Sequence, residues 1–164
     1  MMDRSRTISW DDPGVVPASA RTLSGLELLT QVFEGRLPAP PIAATLGFRG
    51  VEVSAGRAVF VGEVGEYLYN PIGTVHGGYA MTLLDSAMGC AVHSTLAAGE
   101  MYTTLEVKVN FVRAITLETG RVRCEGMVVH RGGKVATAEG RLYAEITNKL
   151  LAHGTTTCLV TSAR

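Results

Sequence analysis

A proline-free apolar segment between Gly77 and about Ala97 constrains the fold more than any other feature of the sequence. Its residues favour helix, and apolar side chains occur nearly all the way around the predicted helix. Such a helix is buried on most of its sides rather than along one stripe, so other elements must cover it. Asp85 and His93 interrupt the apolar run, and we therefore expect a buried helix and no membrane span.

Strands are predicted to provide this cover. Residues 103–113 alternate in polarity, which is typical of a strand with one buried face. The face predicted to be buried carries Leu105, Val107, Val109 and Phe111, and the opposite face carries Thr104, Glu106, Lys108 and Asn110. The other segments with strand composition are residues 48–54, 57–64, 121–130, 134–147 and 150–160. The last three follow short connections, which favour antiparallel neighbours.

The element order β-β-helix-β-β-β-β predicts an α+β fold in which an antiparallel sheet curls around one long central helix. A short amphipathic helix with Ser24 as its N-cap is predicted before the sheet. Residues 1–22 have little periodicity, and we expect them to form a poorly ordered arm. Residues 23–164 are then one domain, which suits a chain of 164 residues.

Composition excludes several classes of function. The 15 basic and 15 acidic residues balance, which argues against a nucleic-acid partner. The three cysteines are isolated, so neither a disulfide framework nor a zinc knuckle is expected. The four histidines lack metal-ligand spacing, and no metal site is predicted. Because the N-terminus lacks the pattern of a signal peptide, we expect a cytoplasmic protein.

Gly77 and Gly78 stand at the start of the predicted helix. The first turn of a helix has free N–H groups and a partial positive charge. A ligand can approach these groups closely because glycine has no Cβ. The pair is therefore a candidate oxyanion hole for a carbonyl, although glycine at the start of a helix is also common without any function.

Asp85 is the second candidate, because aspartate is unfavourable in the middle of a helix and costly to bury without partners. Either a structural hydrogen bond or a role in chemistry could compensate for it. Gly77 and Asp85 are eight residues apart, which is about 12 Å along one helix. One chain cannot place both against the same carbonyl, whereas two antiparallel helices in an isologous dimer can do so.

The segment from Gly73 to Gly78, followed by Asp85 nine residues after His76, resembles the PaaI-like hotdog thioesterases. The resemblance covers roughly residues 42–160, and the predicted element order agrees with it. It implies a hotdog fold and an enzyme that hydrolyses acyl-CoA to free acid and CoA without a cofactor. It also implies a homodimer that pairs into a homotetramer.

The resemblance implies roles for individual residues. Asp85 is similar in position to the catalytic carboxylate, as nucleophile or as a base that activates water. The Gly77 N–H is expected to polarise the thioester carbonyl. Asn70 resembles an asparagine near the carbonyl or the attacking water, and His76 is expected to order the loop by hydrogen bonding. Thr104, or its neighbour Thr103, matches a hydroxyl position close to that water.

A basic turn resembles the segment of this family that contacts CoA. Exposed N–H groups beside positive charges suit phosphates, although such turns are also routine at protein surfaces. Arg113, at the end of its strand, is a further candidate for binding CoA. The residues of the turn are His130, Arg131, Gly132, Gly133, Lys134 and Val135.

Alternative functions remain open from the sequence. A hydratase or dehydratase acting on acyl thioesters can use the same fold, as can a non-catalytic acyl-CoA binding protein or sensor. The segment from Glu52 to Gly56 lacks the first glycine of a nucleophile elbow, so a serine hydrolase is not expected. The predicted acyl group is aryl or of medium chain length.

Overall fold

The computed structural model describes residues 4–19 and 21–162. Its α-helices are α1 (Val15–Ser19), α2 (Gly25–Phe33), α3 (Pro41–Leu46) and α4 (Gly77–His93). Its strands are β1 (Phe48–Ser54), β2 (Arg57–Gly62), β3 (Glu100–Phe111), β4 (Val122–Arg131), β5 (Val135–Ala144) and β6 (Leu150–Ser162). Short 3-10 turns span Glu66–Leu68 and Leu117–Thr119. The predicted α+β class and element order are confirmed.

The strands form one antiparallel sheet of six strands in the order β1-β2-β4-β5-β6-β3. Consecutive strands β4, β5 and β6 are joined by short turns, as their spacing predicted. Strand β3 lies at one edge and pairs along its length with β6. Its other edge is therefore free to pair with a strand of another chain.

Helix α4 packs against the inner face of this sheet. Leu84, Ala87, Met88 and Ala91 are fully buried between them. A Cβ at Gly126 of β4 would lie 2.3 Å from the backbone of Ala87, so the helix backbone rests directly on the strand. Close packing of this kind explains why α4 needs small residues on its inner side and on the sheet below it.

The elements before the sheet follow their local signals. Ser24 caps α2, because its hydroxyl accepts a hydrogen bond from the Glu27 N–H and the Glu27 carboxylate accepts one from the Ser24 N–H. Helix α3 ends at Gly47, whose φ of 73° is left-handed and suits glycine. Helix α4 ends at His93, four residues before the predicted end at Ala97.

The described part of the predicted N-terminal arm contacts the rest of the chain. Arg4 forms an ion pair with Glu66, and the Arg6 guanidinium donates hydrogen bonds to the carbonyls of Ala44 and Thr45. Residues 1–3 and 20 lie outside the described part of the chain. The division between an arm and a domain at residue 22 stays a prediction.

The faces predicted for β3 are partly wrong. A β-bulge between Thr104 and Glu106 leaves Leu105 without a partner on β6 and shifts the alternation by one residue. Leu105 is consequently 58% exposed, while Thr104 faces α4 together with Val107. Polarity alternation alone placed Thr104 on the opposite face, because a bulge has no distinct signature in this sequence.

Three further observations concern cysteines, metal ligands and helix hydropathy among the described residues. Cys90, Cys124 and Cys158 are free thiols. No cluster of His, Cys, Asp or Glu in the described part could hold a metal ion. Among the described helices, none is both long enough and apolar enough to span a membrane.

Candidate functional site

His76 shapes the start of α4. Its backbone is extended, and its Nδ1 accepts a hydrogen bond of 2.9 Å from the Gly78 N–H, so the side chain caps the helix. An imidazole that accepts at Nδ1 carries its proton at Nε2 when neutral. Within residues 4–19 and 21–162, no group accepts a hydrogen bond from the Gly77 N–H. Of the glycine pair singled out in the sequence, Gly77 thus supplies the open donor.

Asn70 organises the loop that leads to this helix. Its side-chain oxygen accepts hydrogen bonds from the N–H groups of Ile72 and Thr74, at 3.1 and 3.2 Å. Its amide nitrogen donates to the Thr74 hydroxyl at 3.0 Å. The turn closes through Gly73, whose φ is 81°. A side-chain amide has a second N–H, and no acceptor in the described part of the chain takes that donor of Asn70.

A cavity of about 420 Å³ opens beside Gly77. Asn70 and His76 line this cavity, together with Phe111 at the end of β3 and Arg113 two residues beyond it. The Phe111 ring lies 3.1 Å from the position that a Cβ of Gly77 would occupy. A side chain at position 77 would therefore press on this ring and narrow the access to the backbone N–H.

Asp85 opens into a different cleft, of about 240 Å³, which Met81 and Val107 also line. The Thr104 hydroxyl donates a hydrogen bond of 3.1 Å to the Asp85 carboxylate. The predicted burial of Asp85 is wrong for a single chain, because its side chain is exposed. The reason is that the sheet covers only one side of α4 and leaves this side open.

Three titratable groups are close enough to Asp85 for its charge to raise their pKa values. Burial, and secondarily the charge of Asp85, raises the pKa of the Cys90 thiol to about 12. Burial also raises the pKa of Tyr102 well above its ordinary value, with further contributions from Cys90 and Asp85. Burial is likewise the largest cause that raises the pKa of Cys158. Neutral groups therefore surround the carboxylate on its inner side.

The turn that was predicted to contact CoA connects β4 to β5. Arg131 forms an ion pair with Glu100 at 3.0 Å and also donates to the Gly132 carbonyl, so its charge is neutralised within the chain. Lys134, Gly133 and His130 are exposed. Only one of the two flanking cations is thus presented to solvent in the described structure. Arg113, by contrast, lies in the Gly77 cavity at the far end of β3.

Comparisons with known proteins agree with this architecture. A family model described as the thioesterase superfamily matches residues 72–150. A 1,4-dihydroxy-2-naphthoyl-CoA hydrolase of Listeria monocytogenes is 29% identical over 107 residues, which span 65% of this chain and 85% of the relative.

Solved structures show the same fold. A phenylacetic acid degradation-related protein of Ralstonia eutropha JMP134 aligns with a TM-score of 0.72 and 29% identity, over 80% of this chain and 98% of that one. A Streptococcus mutans UA159 protein whose structure contains acetyl-CoA aligns with a TM-score of 0.64 and 28% identity, over 72% and 91% of the two chains.

These matches and the fold define the class: the chain is a thioester hydrolase with the hotdog fold. The resemblance to the PaaI-like thioesterases, which the motif around His76 indicated, is confirmed. The bulge in β3 could have been suspected from the sequence only through the Asp85-to-Thr104 spacing. The neutralised Arg131 could not have been found there, because Glu100 lies far away in sequence.

Proposed function

We propose that this chain hydrolyses acyl-CoA thioesters to a free acid and CoA, in sites that two subunits share. One subunit contributes the Gly77 N–H and the other contributes Asp85. The proposal rests mainly on one observation: the Gly77 N–H and the Asp85 carboxylate are both accessible but lie far apart on one helix. The Gly77 donor and the Asp85 carboxylate face different cavities of the same chain, and neither cavity contains both. The hydrolase relative and the relative with bound acetyl-CoA support CoA as the thiol.

The chemistry follows from these groups. The Asp85 carboxylate removes a proton from water as the water attacks the carbonyl, or it attacks the carbonyl itself and forms an anhydride that water then cleaves. The Gly77 N–H stabilises the developing oxyanion, assisted by the dipole of α4. Collapse of the tetrahedral intermediate breaks the C–S bond and releases the CoA thiolate. Thr104 positions the carboxylate, and the free N–H of Asn70 orients the carbonyl or the water.

A two-fold axis can bring the two groups together. Along α4, the position halfway between Gly77 and Asp85 is Met81, which is 41% exposed. On β3, Phe111 lies beside Gly77 and Thr104 lies beside Asp85. The position halfway between them along the strand is next to Val107. Met81 and Val107 line the same cleft. The midpoint on the helix and the midpoint on the strand therefore lie close together, and one two-fold axis can pass near both. Pairing of the free β3 edges across this axis would make the sheet continuous between subunits.

The same axis unites the candidates for binding CoA. Arg113 follows the end of β3 that lies beside Gly77. The basic turn lies near the opposite end of β3, which is beside Asp85. Val135 of this turn pairs with Leu159 of β6, and Leu159 in turn pairs with Thr103 of β3. An antiparallel partner would bring its Lys134 turn towards Arg113. Two cations from different subunits would then face the phosphates of one CoA. By resemblance, we extend the proposal to pairing of two dimers into a tetramer.

The first test is thiol release from a panel of acyl-CoAs, with aryl-acetyl, benzoyl and straight-chain acyl groups. We expect Asp85→Ala and Asp85→Asn to lower kcat at least about 100-fold in folded protein, because each removes the base or nucleophile. Binding of acyl-CoA by the wild type without release of free thiol from any substrate contradicts hydrolysis. That result would favour the binding-protein alternative.

The second test asks whether the site is shared. Asp85→Ala and Gly77→Val homodimers are both expected to be inactive, the latter because its side chain presses on Phe111 and covers the N–H. Co-expression of the two variants with different tags yields heterodimers in which one site has both wild-type groups. Random assembly should restore about a quarter of wild-type activity per chain. Heterodimers that stay inactive contradict a shared site.

A further inference from the structure

Arg6, in the segment before α1, contacts two elements that the proposed reaction does not use. Its guanidinium donates hydrogen bonds of 2.9 and 2.6 Å to the carbonyls of Ala44 and Thr45, in the last turn of α3. The last carbonyls of a helix lack partners within it, and a cation suits them. The same guanidinium lies over the Tyr67 ring, 4.1 Å from its centroid. Arg6 therefore joins α3 to the turn that contains Tyr67.

Two glycines make room for the Tyr67 ring. Its hydroxyl lies 2.8 Å from where a Cβ of Gly47 would be, and the ring occupies the place of a Cβ at Gly65. The Arg6 guanidinium lies 3.3 Å from the same position at Gly47. Although Tyr67 is 49% exposed, close contacts therefore hold its ring on two sides. The guanidinium and the ring form one packed contact.

The turn at Tyr67 forms the base of the loop that leads to α4. The next residue, Leu68, accepts a hydrogen bond of 2.8 Å at its carbonyl from the His76 N–H. Tyr69 and Val75 form the following pair, as an isolated antiparallel bridge. The loop between these pairs is therefore closed at the turn, and a shift of the turn moves both of its ends.

We propose that Arg6 is a positioning residue, which fixes the turn at Tyr67 and thereby the loop that presents the Asn70 amide and the Gly77 N–H to the thioester. The inference rests on the proposed function and adds a residue to it. Arg6 is not among the residues that line the Gly77 cavity, so it acts through the loop and not by contact with the substrate. It also precedes residues 72–150, which the family model matches.

Substitutions of Arg6 in the full-length chain test this role. For the best acyl-CoA of the panel, we expect Arg6→Ala to lower kcat about tenfold and to leave KM within about twofold of the wild type. A displaced N–H stabilises the oxyanion poorly, whereas the groups that bind CoA stay in place. Arg6 is exposed, so the variant should fold.

Three further variants separate positioning from a general loss of structure. Arg6→Lys keeps the cation but not the guanidinium fork that reaches two carbonyls, and it should recover part of kcat. Tyr67→Leu should lower kcat as Arg6→Ala does, and the double variant should be no worse than either single one, because both changes break one contact. Losses that multiply in the double variant would contradict the proposal. Arg36→Ala, which removes an exposed ion pair with Glu34, is the control and should keep the wild-type kcat.

The N–H signals of Gly77 and Gly78 provide a readout that is independent of catalysis. In NMR spectra of the ¹⁵N-labelled, ligand-free protein, Arg6→Ala should shift both signals and Arg36→Ala should shift neither. If the signals shift in this way but the wild type hydrolyses no thioester, the proposed function fails and the control of the loop by Arg6 stands. If the wild type hydrolyses acyl-CoA and folded Arg6→Ala keeps its kcat, the positioning role is overturned and the proposed function stands.

Discussion

His93 connects the packing of α4 to the stability of the fold. Its imidazole lines a largely apolar cavity of about 310 Å³ beside α2, and burial lowers its pKa below the ordinary value of 6.5. At pH values between the lowered pKa and 6.5, the unfolded chain therefore binds a proton that the folded chain does not bind. The contribution of His93 to stability is complete above pH 6.5 and is lost as the pH falls below it.

We accordingly expect the free energy of unfolding of the wild type to decrease as the pH falls below 6.5, by at most about 1.4 kcal/mol per pH unit from this group. His93→Gln should reduce that slope, whatever its effect on stability at pH 7.5. Urea unfolding at a series of pH values measures both quantities. His130→Gln, at an exposed position, is the matched control, and an unchanged slope in His93→Gln would disprove the linkage.

At the residue scale, the sequence was informative where a side chain departs from its surroundings. Asp85 stood out as a carboxylate in an apolar helix, and the family resemblance predicted that Thr104 or Thr103 lies close to the attacking water. The structure places the two within hydrogen-bond distance. Burial of Asp85 was predicted wrongly, because a helical pattern shows which side chains are apolar but not which flank the same chain leaves uncovered.

Glycines in the sheet set the distance between the sheet and α4. A Cβ at Gly126 would lie 2.3 Å from the Ala87 backbone, and backbone cannot turn aside as a flexible side chain can. We expect Gly126→Ala to lower the free energy of unfolding by roughly 2–3 kcal/mol, as in other overpacked cores. Gly133→Ala is the control, because nothing lies within 4 Å of its Cβ position.

Denaturant midpoints of the two variants measure the difference. Equal midpoints for Gly126→Ala and the wild type would show that α4 can move away from β4 at little cost.

The sequence predicted most of the helices and strands, because Ser24, Gly47 and the turn residues act through local hydrogen bonds and dihedral angles. It missed the bulge in β3, which depends on pairing with β6 rather than on any residue near Leu105.

For the whole molecule, the sequence predicted an antiparallel sheet around one helix but not the order of its strands. Turns of a few residues indicate which strands are consecutive neighbours, as for β4, β5 and β6. The contacts of β2 with β4 and of β3 with β6 join segments that are distant in sequence, and no local pattern reports them. The position of β3 at an edge, on which the proposed dimer depends, came only from the structure.

In the proposed dimer, Met81 lies near the two-fold axis, so a charge at this position should disrupt the interface. Met81→Asp would place two carboxylates near the two-fold axis, where their repulsion adds to the loss of apolar contact. We expect this variant to be largely monomeric at micromolar concentration and at least about 100-fold less active per chain, because the Gly77 N–H and the Asp85 carboxylate of one monomer face different cavities. Sedimentation velocity and thiol release on the same samples measure the two effects.

Concentration separates loss of the dimer from direct damage to the site. Mass action should restore both the dimer and the activity of Met81→Asp as the protein concentration rises, with activity following the dimer fraction. Ile146→Asp introduces the same charge at a position that is 86% exposed in the β5–β6 turn, and it should remain dimeric and active. A Met81→Asp protein that is monomeric and fully active would refute the shared site. Full activity of such a monomer would mean that Gly77 and Asp85 do not act on the same carbonyl.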